Sequence, residues 1–113
     1  MLIEGYRFGV MVIEGESYTE DVIVFPDRVV PNWRRKEGHV LALEDLEAAL
    51  EAKPEVLIVG TGTQELLAVS QAVIAHTQKA GIELLAFDTR TACRTFNELV
   101  GSRRVVAALH LTC

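Results

Sequence analysis

Apolar positions along the chain follow two regimes. Over residues 2–25 they gather in short runs of β-branched and aromatic residues, Phe8 to Ile13 and Tyr18 to Phe25, punctuated by Gly5, Gly9 and Gly15. Such runs predict strands, with Gly15-Glu16-Ser17 turning one hairpin. Val29-Val30 is a further short apolar pair, closed by Pro31, and Trp33 with the basic run Arg34-Arg35-Lys36 reads as an exposed connection. Leu43, Leu46 and Leu50 then recur at helical spacing, which predicts an amphipathic helix over 42–52 that ends before Pro54.

From Pro54 onward the pattern alternates regularly. Val56-Leu57-Ile58-Val59 is continuous and apolar, as a strand buried on both faces requires. Gly60-Thr61-Gly62-Thr63 breaks it, and the spacing of Leu66, Leu67, Val69, Val73 and Ile74 predicts a helix over 64–79 with Gly81 at its left-handed end. Ile82 to Phe87 is the next strand. Asp88 or Thr89 caps a helix whose Ala92, Phe96, Leu99 and Val100 share one face, and Gly101 stops it before a final strand, Val105 to Leu111. Strand–helix alternation implies βαβ crossovers and parallel neighbours. The expectation is one α/β domain over 1–113, with a hairpin-rich N-terminal half and βαβ units in the second.

Composition narrows the function classes. Half of the 113 residues are hydrophobic, which excludes a largely disordered chain. The net charge of −5 argues against a nucleic-acid partner, which needs a basic face. The N-terminus lacks the charge pattern of a secretory leader, and no apolar run reaches the roughly 20 residues of a membrane helix. Cys93 and Cys113 form no CxxC motif, and His39, His76 and His110 lack metal-ligand spacing. A cytoplasmic protein without cofactor, metal or catalytic constellation is expected.

Two stretches could nonetheless carry a site. At the turn Gly60, Thr61, Gly62, Thr63, a helix N-terminus would offer free amides and a positive dipole end to a small anion. Thr61 with Gln64 also fits a capping box, which would use those amides internally. Glu65 stands where a dinucleotide fingerprint requires its third glycine. The second stretch is Asp88 to Asn97, from which Arg94 and Asn97 could reach the glycine turn, because parallel strands place their C-terminal ends on one sheet edge. Cys93 lies inside the helix and is expected to be an inert core thiol. Trp33 fits either an interface anchor or the core.

The order Trp33…Gly38-His39, Pro54 to Gly62, Gly81-Ile82-Glu83, Thr89-x-x-Ala92-Cys93-Arg94-Thr95-Phe96-Asn97-Glu98-Leu99 and Arg103 to Leu109 resembles one small family. It is the domain-of-unknown-function family shared by adipogenesis-associated proteins and a mitochondrial respiratory complex I assembly factor. The resemblance implies a three-layer α/β domain with a mixed central sheet and an N-terminal β extension. It also implies non-catalytic, assembly-accessory work through contacts with a protein partner, and supplies no catalytic residue. Gly101-Ser102-Arg103 departs from the family's acidic-Gly-Arg turn, so a salt bridge from that acid has no counterpart here.

Overall fold

The structure, a computed structural model, describes residues 1–113. Strands β1 (Ile3–Arg7), β2 (Val10–Ile13) and β3 (Glu16–Tyr18) form an antiparallel meander, followed by β4 (Val22–Val24), β5 (Val29–Val30) and β6 (Val40–Leu41). A 3₁₀ turn over Leu43–Leu46 leads into α1 (Glu47–Glu51), then β7 (Val56–Gly60), β8 (Ala68–Val69) and α2 (Gln71–Ala80). The chain ends with β9 (Glu83–Phe87), α3 (Thr89–Leu99) and β10 (Val105–Leu109).

The five-stranded central sheet has the order β5-β4-β10-β7-β9. β10 runs parallel to β7, with Val105 opposite Val56 and Leu109 opposite Gly60, and β7 runs parallel to β9. β4 joins the other side of β10 antiparallel, which makes the sheet mixed. Every residue of β7 and β10 is buried, because alternate side chains feed different cores. Val56, Ile58, Val105, Ala107 and Leu109 face Phe96, Cys93 and Ala92 of α3, together with Ile3, Met11 and Ile13 of the meander. Leu57, Val59, Val106 and Ala108 face Leu46, Ala49, Leu67 and Val73 on the opposite side. The result is three layers, as the resemblance implies. Each large side chain fully buried this way contributes roughly 1.5–3 kcal/mol of transfer free energy.

Two predicted elements are corrected. The helix placed at 64–79 begins only at Gln71, with Ser70 as its N-cap. Residues 66–69 have helix-compatible spacing, but Leu67 turns inward and the backbone pairs with β6. The Ala68 amide donates to the His39 carbonyl (2.9 Å) and the Ser70 amide to that of Leu41 (3.1 Å). Tertiary pairing overrides the local pattern. The hairpin turn is Glu14-Gly15, both left-handed at φ 48° and 82°, so Glu16 and Ser17 already belong to β3.

Candidate functional site

The C-terminal ends of β7, β9 and β10 lie on one edge of the sheet, where open α/β sheets place their ligand sites. The glycine turn is there, but without a helix behind it, so the anion cradle expected from a helix N-terminus is not formed. Its amides are used by the protein. Thr61 donates to the Phe87 carbonyl through both its amide (2.8 Å) and its hydroxyl (2.9 Å). The Gly62 amide donates to the Thr89 hydroxyl (2.9 Å), which in turn donates to the His110 carbonyl (2.6 Å). The Thr63 amide bonds the Thr112 carbonyl (2.7 Å), and the Leu66 amide bonds that of Cys113 (3.0 Å). Gly62 sits at φ 103°, and a Cβ there would overlap the Cys113 carbonyl group, so only glycine fits.

Arg94 and Asn97 are not brought to that turn. The Asn97 side chain is bonded to one backbone residue of β1: its amide donates to the Ile3 carbonyl (2.8 Å) and its oxygen accepts from the Ile3 amide (2.9 Å). Arg94 lines a separate small cleft with Tyr6, Arg90 and Cys93. Burial pushes the Cys93 thiol up to about 12, an inert core thiol as expected. Asp88 caps α3 by accepting from the Thr91 amide (3.1 Å). Trp33 is not presented at the surface. It is buried in the second core, and its indole nitrogen donates to the Asp45 carbonyl (2.9 Å).

A different group of residues converges one strand away. Because Leu109 pairs with Val22, the residues just beyond them, His110 and Asp21, are neighbours. The Trp33 amide bonds the Asp21 carbonyl (2.8 Å), which brings Arg35 alongside. Asp21 Oδ2 accepts from Arg35 Nη1 (2.7 Å) and lies 2.8 Å from His110 Nδ1, while Oδ1 accepts from the Leu111 amide (2.8 Å). Arg35 also lies over the Trp33 ring, 4.8 Å from its centroid. Burial would raise the Asp21 carboxyl, but the bonds from His110, the Leu111 amide and Arg35 outweigh it and hold it below the ordinary carboxylate value. The side chains of Arg35 and His110 are only 6% and 9% exposed. They line a cleft of about 300 Å³ with Arg34, Glu20 and two threonines. Arg35 is therefore not part of an exposed basic run.

A family model described as a protein of unknown function (DUF498/DUF598) matches residues 3–110. The chain belongs to this family. Within the DUF498/DUF598 family it is similar to NADH dehydrogenase [ubiquinone] 1 alpha subcomplex assembly factor 3 of Xenopus tropicalis, 30% identical over 110 residues. That match covers 96% of this chain and 59% of the Xenopus protein. It is also similar to a 13 kDa major membrane protein of Francisella tularensis, 31% identical over 78% of this chain and 66% of that protein. The chain thus spans about 60% of the length of the first relative. A conserved hypothetical protein from Pyrococcus horikoshii shares the fold at TM-score 0.88 and 30% identity, with both chains fully covered. An outer membrane protein from Bartonella henselae does so at 0.83 and 29%, covering 98% of this chain and 94% of that one. No helix of this chain is long and apolar enough to cross a membrane.

Sequence reasoning missed Asp21, Arg35 and His110 because nothing in their spacing joins them. One signal was present: His110 interrupts an otherwise apolar run ending at Leu111, and a buried imidazole needs a partner. Thr89, read as an alternative cap for α3, is instead fully buried and ties the glycine turn to the end of β10.

Proposed function

We propose that this domain is a non-catalytic accessory protein that binds another protein during the assembly of a multi-subunit complex. The observation that carries the reading is a set of outward apolar side chains beside the glycine turn. Leu66 is 49% exposed and Phe8 59%. They flank the same segment, since Leu66 and Gly9 donate their amides to the carbonyls of Cys113 and Leu111. Val40, also exposed, stands opposite Ala68 on the outward face of the β6–β8 pair. Nothing in the core needs these side chains outside, and clustered exposed apolar residues mark contact surfaces. The relatives named as assembly factors support the same reading, as does the internal use of the polar groups at the turn.

A photo-cross-linking residue at position 66 or 8, introduced into the chain in its own cells, should capture the same protein at both positions. The same residue at Glu16, on the exposed β3, should not. The double substitution Phe8→Glu, Leu66→Glu should abolish the capture while changing stability by less than about 1 kcal/mol, as exposed sites do. Equal capture at positions 16 and 66, or capture that survives the double substitution, would reject the surface.

A further inference from the structure

We propose that the free edge of β9 pairs with the same edge of a second copy of this chain, joining two five-stranded sheets into one. β9 is the outermost strand of the central sheet, with β7 on one side and no strand on the other. Its register decides which backbone groups face out. The Glu83 amide donates to the Glu55 carbonyl (3.0 Å) and the Phe87 carbonyl accepts from the Thr61 amide (2.8 Å), so Glu83, Leu85 and Phe87 are the residues bonded to β7. Alternate residues of a ladder serve alternate sides, which turns the amides and carbonyls of Leu84 and Ala86 outward. Neither residue is bonded from anywhere else in the chain. Sheet edges are usually guarded by shortness, charge or proline. β5, the opposite edge, is two residues long with Pro31 just after it, and the meander's β3 is three residues long and begins with Glu16. β9 has five residues, no proline and no charge beyond Glu83, which Arg103 holds at 3.1 Å. The helices leave this edge open. α3 crosses from β9 over to β10, on the far side of β7, and Ala86 is exposed. An identical strand fits it. Antiparallel pairing about a two-fold axis at Leu85 sets Leu84 of each copy opposite Ala86 of the other, so every outward group is used, in four hydrogen bonds. Leu85 then meets Leu85, and Glu83 of each copy lies beside Phe87 of the other. No like charges face one another, although each chain carries −5, and an uncharged strand is where two such chains can meet.

This contact is separate from the protein-contact surface, because it uses none of Phe8, Val40 or Leu66. The test is sedimentation equilibrium of the full 113-residue chain over a range of concentrations, with amide exchange followed residue by residue in the same samples. A reversible monomer–dimer equilibrium is expected, strengthened by added chloride as the net charges are screened. The amides of Leu84 and Ala86 should exchange fast in dilute samples and slow in step with dimer formation. Those of Leu85 and Phe87, bonded to β7, should be slow throughout. Ala86→Pro removes only an outward amide, which an edge strand tolerates, and takes two of the four bonds from the dimer. It should weaken dimerisation at least about tenfold and leave Leu85 and Phe87 protected. The two copies of Ala86 become diagonal neighbours on one face of the joined sheet, so Ala86→Lys and Ala86→Glu provide a second check. Each alone should weaken the dimer, and a mixture of the two should restore it. A chain that stays monomeric at every concentration would overturn the pairing. So would a dimer in which Leu84 and Ala86 exchange as fast as in the monomer, or a mixture of the charged variants that associates no better than either alone.

Discussion

Thr89 shows how much of this edge depends on single polar atoms. Its hydroxyl accepts from Gly62 and donates to His110, and a Cβ at Gly60 would press on it and on Leu109. Thr89→Val keeps the shape but strands a buried amide and a buried carbonyl. We expect a loss of about 2–4 kcal/mol in denaturant unfolding, since each stranded group costs about 1–3. Gly62→Ala should cost about 3 kcal/mol or more, because strain at positive φ adds to overlap with Cys113. Thr61→Ala, which removes one neutral bond to Phe87, should cost only about 1 kcal/mol. Asp21 adds a pH dependence whose sign is set by its lowered carboxyl. A folded value below the unfolded one gives stability that is complete above the ordinary carboxylate range and lost as pH falls below about 4. The acid limb of the wild-type stability profile should therefore be steeper than that of Asp21→Asn. Parallel limbs would remove Asp21 as the source.

At the scale of elements, the strands and helices with strong periodicity were legible. The buried runs of β7 and β10, the capped α3 and the glycine end of α2 all read directly from residue type. The segment 64–70 did not, because its apolar spacing suits a helix and the pairing that decides otherwise comes from residues 39–41, far away in sequence. The polar cluster was illegible for the same reason: Asp21, Arg35 and His110 come from three separate segments, joined by the β4–β10 pairing and by a loop bond from Trp33 to Asp21. Asn97 is an intermediate case. Its place on the helix beside Phe96 was readable, but its partner, the β1 backbone, was not. Asn97→Ala should leave the Ile3 amide and carbonyl unpaired at a half-buried site. Amide exchange should then accelerate along β1 and β2 while β7 and β10 remain the slowest segments. Acceleration spread evenly over all strands would show that the meander is not held separately.

For the whole molecule, the question is whether the layers open together or one at a time. Cys93 reports on this, because it lies in α3 where the helix meets the meander and the central sheet. With its thiol pushed up to about 12, almost none is thiolate at neutral pH, and the buried sulfur is shielded as well. Native-state reaction with a disulfide reagent must therefore wait for an opening that separates α3 from what covers it. Cys113, less buried, supplies the internal comparison. Cys93 should react far more slowly than Cys113, and its rate should rise with denaturant. If the meander peels away first, the denaturant slope will be smaller than that of global unfolding, because less surface is exposed. Asn97→Ala, which frees β1, should then speed Cys93 modification more than it lowers global stability. If instead the three layers open as one unit, the Cys93 rate will follow global stability with the full slope, and Asn97→Ala will shift both by the same free energy. We expect the first outcome, because the meander is tied to the rest by its packing and by the few hydrogen bonds of Asn97, Tyr6 and Gly9, while the sheet below is paired along every strand. Modification of Cys93 as fast as that of Cys113 in native conditions would contradict both pictures and place the thiol at the surface.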